Sequence, residues 1–126
     1  MSHTVTYNSK LGLVETKAKG ELGLEEAKEI IAQIGLVAKE NSCFLCLSDY
    51  REVKLTLSTI EIYEIPKILS KTITSLSLAV FKFKRAIVFA KGSRDFYFLE
   101  TVTINNGQYA QLFEDMEGAK KWLLGG

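Results

Sequence analysis

A chain of 126 residues with 47% hydrophobic and 25% charged content fits one soluble globular unit, large enough to bury a core and too short for a catalytic domain plus a regulatory one. Sixteen basic against fifteen acidic residues leave a net charge of +1, without the basic face that binds nucleic acid by neutralising phosphates. The opening Met1-Ser2-His3-Thr4 lacks the features of a secretory signal, and no apolar run nears the roughly 18 residues of a bilayer span. A single domain over 1–126, in the cytoplasm and without stable membrane insertion, is expected.

Thr4 to Tyr7 and Leu11 to Lys19 read as two strands of a hairpin turning at Asn8-Ser9-Lys10, with partial alternation at Leu13, Glu15 and Lys17. After Gly20, Leu24, Ala27, Ile31, Ile34 and Ala38 recur at three- and four-residue spacing, which lays an apolar stripe along a helix ending near Asn41. Glu25 and Glu26 suit its positive end. Cys43 to Leu47 is a continuously apolar run of the kind covered on both faces, and Asp49 to Thr56 reads as loop.

A second helix begins at Ser58, where Ser58 and Glu61 fit the capping box, and carries Ile62, Ile65, Leu69 and Ile73 inward. Pro66 inside it predicts a bend near Glu64 or a restart. Leu76 to Lys82 is a connector closing the core, and Phe83 to Ala90 a buried strand ending at Lys91-Gly92-Ser93. Ser93 then caps a third helix with Phe98, Leu99 and Val102 inward, stopping where Gly107 can take the left-handed conformation. Tyr109 to Phe113 is the last strand. Asp115 caps a final helix docking through Met116, Ala119 and Leu123, and Leu123-Leu124-Gly125-Gly126 is its stop.

The order ββαβαβαβα predicts an α/β fold: a mostly parallel five-stranded sheet with an antiparallel N-terminal strand. Such sheets bind ligands outside the carboxyl ends of their strands. Here those ends gather Asp49, Tyr50 and Arg51, then Lys91, Gly92 and Ser93, then Glu114 and Asp115.

Catalytic inventories are poor. His3 is the only histidine and is placed in a fraying tail, so no Ser-His-Asp or Cys-His set and no zinc ligand set can be assembled. Cys43-Phe44-Leu45-Cys46 matches CxxC, but within a strand the two thiols point to opposite faces. Glu25 with Glu26 and Glu61 with Glu64 read as solvated helix carboxylates, and Lys91-Gly92-Ser93 has one glycine, too few for a phosphate loop. No cofactor or metal is expected. Tyr50 and Arg51 are of the types that anchor interfaces, and the Phe96-Tyr97-Phe98 cluster cannot be buried equally on one helix.

The element order resembles the STAS domain, the fold of the sulfate transporter and anti-sigma factor antagonist family, and more narrowly its SpoIIAA-like branch. The resemblance covers nearly the whole chain. It is carried locally by Leu57-Ser58-Thr59-Ile60-Glu61-Ile62-Tyr63-Glu64-Ile65-Pro66-Lys67-Ile68-Leu69, with Lys84-Arg85-Ala86-Ile87-Val88 and Glu100-Thr101-Val102. It implies a bacterial, non-catalytic regulatory domain that binds a protein partner or itself through Asp49, Tyr50, Arg51, Ser58 and Thr59. The family's regulatory serine opens helix two in an Asp-Ser-Ser-Gly type motif. This chain lacks the motif, and Ser58 stands at the corresponding helix start as the candidate phosphoacceptor. The alternative, by analogy with fold-related CRAL-TRIO lipid-transfer domains, is a carrier or sensor of a small apolar or anionic ligand in a groove at Lys91, Ser93, Phe96 and Tyr97.

Overall fold

The computed structural model describes residues 1–125; Gly126, the end of the expected helix stop, lies outside them. The chain runs β1 (Ser2–Asn8), β2 (Leu13–Leu22), α1 (Leu24–Asn41), β3 (Leu45–Leu55), α2 (Thr59–Ser75), a 3₁₀ turn (Val80–Lys82), β4 (Lys84–Phe89), α3 (Arg94–Asn105), β5 (Tyr109–Phe113) and α4 (Met116–Leu124). The five strands lie side by side in chain order. β1 pairs antiparallel with β2, and every later neighbour pair is parallel. Right-handed crossovers that all advance in one direction put their helices on one face, so α1, α2 and α3 share a side and α4 returns to the other.

Two cores follow from the strand period of two. Val14 and Ala18 of β2, Cys46 and Tyr50 of β3, and Ile87 and Phe89 of β4 join Ile30, Ile31 and Ile34 of α1, Ile65, Leu69 and Ile73 of α2 and Phe96 of α3. On the other side Leu13, Leu47, Ala86 and Val88 pack against Ala119 and Leu123 of α4. Full burial of each large aliphatic side chain contributes about 1.5–3 kcal/mol.

Several expectations are corrected. Residues 49–55 are strand, not loop, because β3 continues along β2 to the pair Leu22 with Leu55. A bulge hides this: Lys17 lies opposite Asp49 but Lys19 opposite Glu52, so Tyr50 and Arg51 together face the single residue Ala18. The extra residue reverses the alternation, and buried positions shift from Cys46, Ser48 and Tyr50 to Val53 and Leu55. Cys43 precedes the strand and turns its Sγ to the Gly12 carbonyl at 3.1 Å. His3 is not in a fraying tail: it lies in β1, 3.1 Å from the Gln33 side chain on α1. Helix α2 runs through Pro66 without restarting. In α3 the inward aromatic is Phe96, at 1% exposure, while Phe98 turns edge-on to Tyr63, 5.3 Å between centroids.

Candidate functional site

The start of α2 is built by its own sequence. The Ser58 hydroxyl accepts from the Glu61 N–H at 3.2 Å and the Glu61 carboxylate accepts from the Ser58 N–H at 2.8 Å, which closes the expected capping box. Ser58 and Thr59 are exposed. One turn on, Ile60 is 75% and Tyr63 50% exposed, so the first turns of α2 present apolar side chains to solvent.

The other expected partner residues do not join that surface. Asp49 and Arg51 sit on the α4 side, in a polar cleft with Glu15, Lys17, Met116 and Lys120. There the Arg51 guanidinium grips the Asp49 carboxylate through two 2.9 Å bonds, which hold the Asp49 carboxyl below its ordinary range. Tyr50 is buried on the opposite face against Phe96, at 6.2 Å between ring centroids, so it is not available as a surface anchor beside Arg51. The bulge separates the pair that adjacency in sequence joins.

The expected groove is dispersed in the same way. Lys91 is exposed in the turn before α3, and Ser93 stands at the cap position without a side-chain cap bond. Tyr97 lies edge-on to Phe89 at 5.1 Å and remains half exposed. Phe96 alone enters an interior space.

That space is a cavity of about 60 Å³ between the sheet and α1, α2 and α3. Its walls are aliphatic and aromatic, with Ile30, Ile34, Ile65, Leu69 and Phe96 among them, and its polar lining comes from Ser48, Tyr50 and Arg85. The register explains the convergence: Cys46 lies opposite Arg85 and Ser48 opposite Ile87, so Ser48, Tyr50 and Arg85 all point to the helix-covered face. Burial pushes the Tyr50 phenol up, opposed by the Ser48 hydroxyl and the positive charge of Arg85, and pushes the Cys46 thiol up to about 12. The Cys46 thiol is therefore protonated and unreactive at neutral pH.

In the sequence Arg85 stands out only within Lys84-Arg85-Ala86-Ile87-Val88, one of the stretches that carry the family resemblance, and Gln108 not at all. The Arg85 guanidinium donates to the Gln108 carboxamide oxygen at 3.2 Å, and the Gln108 amide nitrogen donates to the Pro66 carbonyl at 2.7 Å and the Ser70 hydroxyl at 2.9 Å. Gln108 thus ties β4 to α2. Among the described residues no salt bridge includes Arg85; the ionisable groups acting on it are Cys46 and Tyr50, and desolvation lowers its pKa. The available signal was a cation within the apolar run Phe83 to Ala90, at a position whose parity matches Ile87.

No family model matches the chain, and no curated protein matches it by sequence. Among solved structures, an uncharacterised DUF3478-family protein with a SpoIIAA-like fold from Shewanella loihica PV-4 aligns at a TM-score of 0.60 and 19% identity, covering 97% of this chain and 92% of that one. The unphosphorylated form of the anti-sigma factor antagonist SpoIIAA aligns at 0.54 and 9% identity, covering 93% and 92%. The fold is the SpoIIAA-like, or STAS, α/β fold. No helix among the described residues is long and apolar enough to cross a membrane.

Proposed function

We propose that this chain is a non-catalytic regulatory domain that binds a protein partner through the start of α2. The observation that carries this reading is the exposure of Ile60 at 75% and Tyr63 at 50% beside the capped residues Ser58 and Thr59, since clustered exposed apolar side chains mark contact surfaces. The fold likeness to an anti-sigma factor antagonist supports it. Asp49 and Arg51, on the other side of the sheet, are a secondary contact in this reading, and Tyr50 contributes from the core by holding α3 in place. Ser58 is the proposed phosphoacceptor: a phosphate on its hydroxyl would repel the Glu61 carboxylate from the Ser58 N–H while its own oxygens accept from the free N–H groups of the helix start, which changes the charge of this surface and leaves the helix capped.

The test is co-purification of the tagged chain from its native cell at native expression. The Ile60→Asp, Tyr63→Asp double variant should lose the bound protein while its circular dichroism and melting curve stay unchanged. Equal recovery by wild type and variant would overturn the reading. The alternative, a carrier or sensor of a small apolar or anionic ligand, is favoured by a different observation, the cavity lined by Arg85.

A further inference from the structure

An arginine inside a protein is almost always paired. A guanidinium keeps its charge at any ordinary pH, and withdrawing that charge from water without a counter-charge costs several kcal/mol even after relaxation, by general estimates. Arg85 reaches the cavity with one neutral acceptor, the Gln108 carboxamide oxygen, in its hydrogen-bond set. Arg85 is half-buried, and none of its nitrogens is both buried and without a partner, so its remaining donors reach solvent. The ionisable groups that act on it, Cys46 and Tyr50, are a thiol and a phenol, both neutral at pH 7. No carboxylate lines the cavity, so the guanidinium faces its apolar walls without a counter-charge on the cavity side.

The cavity is mostly apolar, with its polar groups along the two central strands. Arg85 of β4 and Ser48 and Tyr50 of β3 supply those groups, and Leu55, Leu57 and Leu99 line it without any. Leu57, Leu99 and Arg85 are its half-buried lining residues. A volume of about 60 Å³ is well below the roughly 150 Å³ of an engineered apolar cavity that takes up benzene, which favours a short occupant over a long one. The lining carries one positive charge and little other polarity, so a monoanion is neutralised whereas a phosphate dianion would leave excess charge against apolar walls. A planar guanidinium matches a carboxylate in a two-point bond.

We propose that the cavity is a binding site for a short aliphatic monocarboxylate, with the carboxylate on Arg85, flanked by the Ser48 and Tyr50 hydroxyls, and the chain among Ile30, Ile34, Leu69 and Phe96. This specifies the ligand-binding reading and does not depend on the surface of α2. Binding would draw α1, α2 and α3 onto one occupant, because all three helices line the cavity.

The experiment is calorimetric titration of the full chain at neutral pH with acetate, butyrate, hexanoate, octanoate and inorganic phosphate, repeated on Arg85→Met and Arg85→Lys. Butyrate or hexanoate should bind best, acetate and phosphate at least about tenfold more weakly, and octanoate more weakly than hexanoate, as a cavity this small requires. Arg85→Met should lower the affinity about ten- to a hundredfold, the range for losing a charged hydrogen-bond partner; Arg85→Lys, which keeps charge but loses the fork, should fall between. Arg85→Met can pack into the apolar walls, and an unchanged circular dichroism spectrum shows that it folds. No binding by any acid to the wild type, equal binding by Arg85→Met, or phosphate binding as well as butyrate would each overturn the proposal. Loss of partner capture by the α2 variant would leave these titrations unaffected, so the two readings fail separately.

Discussion

The face of the sheet under α1, α2 and α3 is closed by three helices and holds one cation, Arg85, against a neutral amide. The face under α4 is closed by one helix, and beyond it Glu15, Lys17, Asp49 and Arg51 meet water in an open polar cleft. Two arginines on adjacent strands therefore live under opposite rules. Arg51 takes its carboxylate from two residues away and shares the rest of its hydration with solvent, so its local pair contributes little net stability. Arg85 is half-buried beside an apolar cavity with a neutral amide as its side-chain partner and no carboxylate, and so its charge is the feature that the cavity lining leaves unanswered. The difference teaches that a charged residue signals function where its counter-charge is missing, not where it is conspicuous in sequence.

The largest expected effect tests whether the three-helix face is one sealed core. Phe96 is 1% exposed and lies 5.7 Å from the Phe89 ring and 6.2 Å from the Tyr50 ring, between centroids. Phe96→Ala should cost about 3–5 kcal/mol in urea unfolding, the range for deleting a buried ring. Its neighbour Tyr97 is half exposed, with one edge contact to Phe89, and Tyr97→Ala should cost about 1 kcal/mol, the scale of a single aromatic pair. Similar costs for the two would mean that α3 does not seal the cavity as described.

An intermediate effect separates the scaffold role of Ser58 from its proposed regulatory one. Ser58→Ala removes the acceptor of the Glu61 N–H and should destabilise the chain by about 1 kcal/mol, within the usual range for an N-cap serine. Ser58→Asp keeps a side-chain acceptor at the cap and should recover most of that loss in the same thermal melt. If Ser58→Ala leaves the melting temperature unchanged, the capping box contributes nothing to the fold.

What was readable in the chain divides along physical lines. Local signals carried over: the stripe Ala27, Ile31, Ile34 and Ala38 is the buried face of α1, Ser58 with Glu61 and Asp115 with Gly118 form the expected caps, and Gly107 adopts a φ of 75°. Each depends on neighbours within four residues. The site depended on register. Tyr50 and Arg51 read as adjacent loop anchors because a bulge is an offset between strands, and nothing in β3 alone shows that Ala18 stands opposite two residues. The inward direction of Arg85 needs its pairing with Cys46, and the role of Gln108 needs the approach of α2, 42 residues away in sequence from Gln108 to Pro66.

The smallest expected effect sharpens the contrast from the solvent side. The hydrogen bond from Arg51 is the first cause holding the Asp49 carboxyl below its ordinary value of 3.8. A carboxyl with a depressed folded-state pKa adds stability above its unfolded value, and that contribution is lost as pH falls through the folded one. Asp49→Asn should therefore unfold at slightly lower urea than wild type near about pH 6, and the gap should narrow as pH falls below 3.8 and close once the native carboxylate is protonated as well. High salt should shrink the gap as well, since the Arg51 side chain is 49% exposed and exposed charges are screened. A gap that stays constant across pH and salt would show that Asp49 acts through shape in the α4 cleft and not through its charge; the two arginines would then no longer differ in the way proposed.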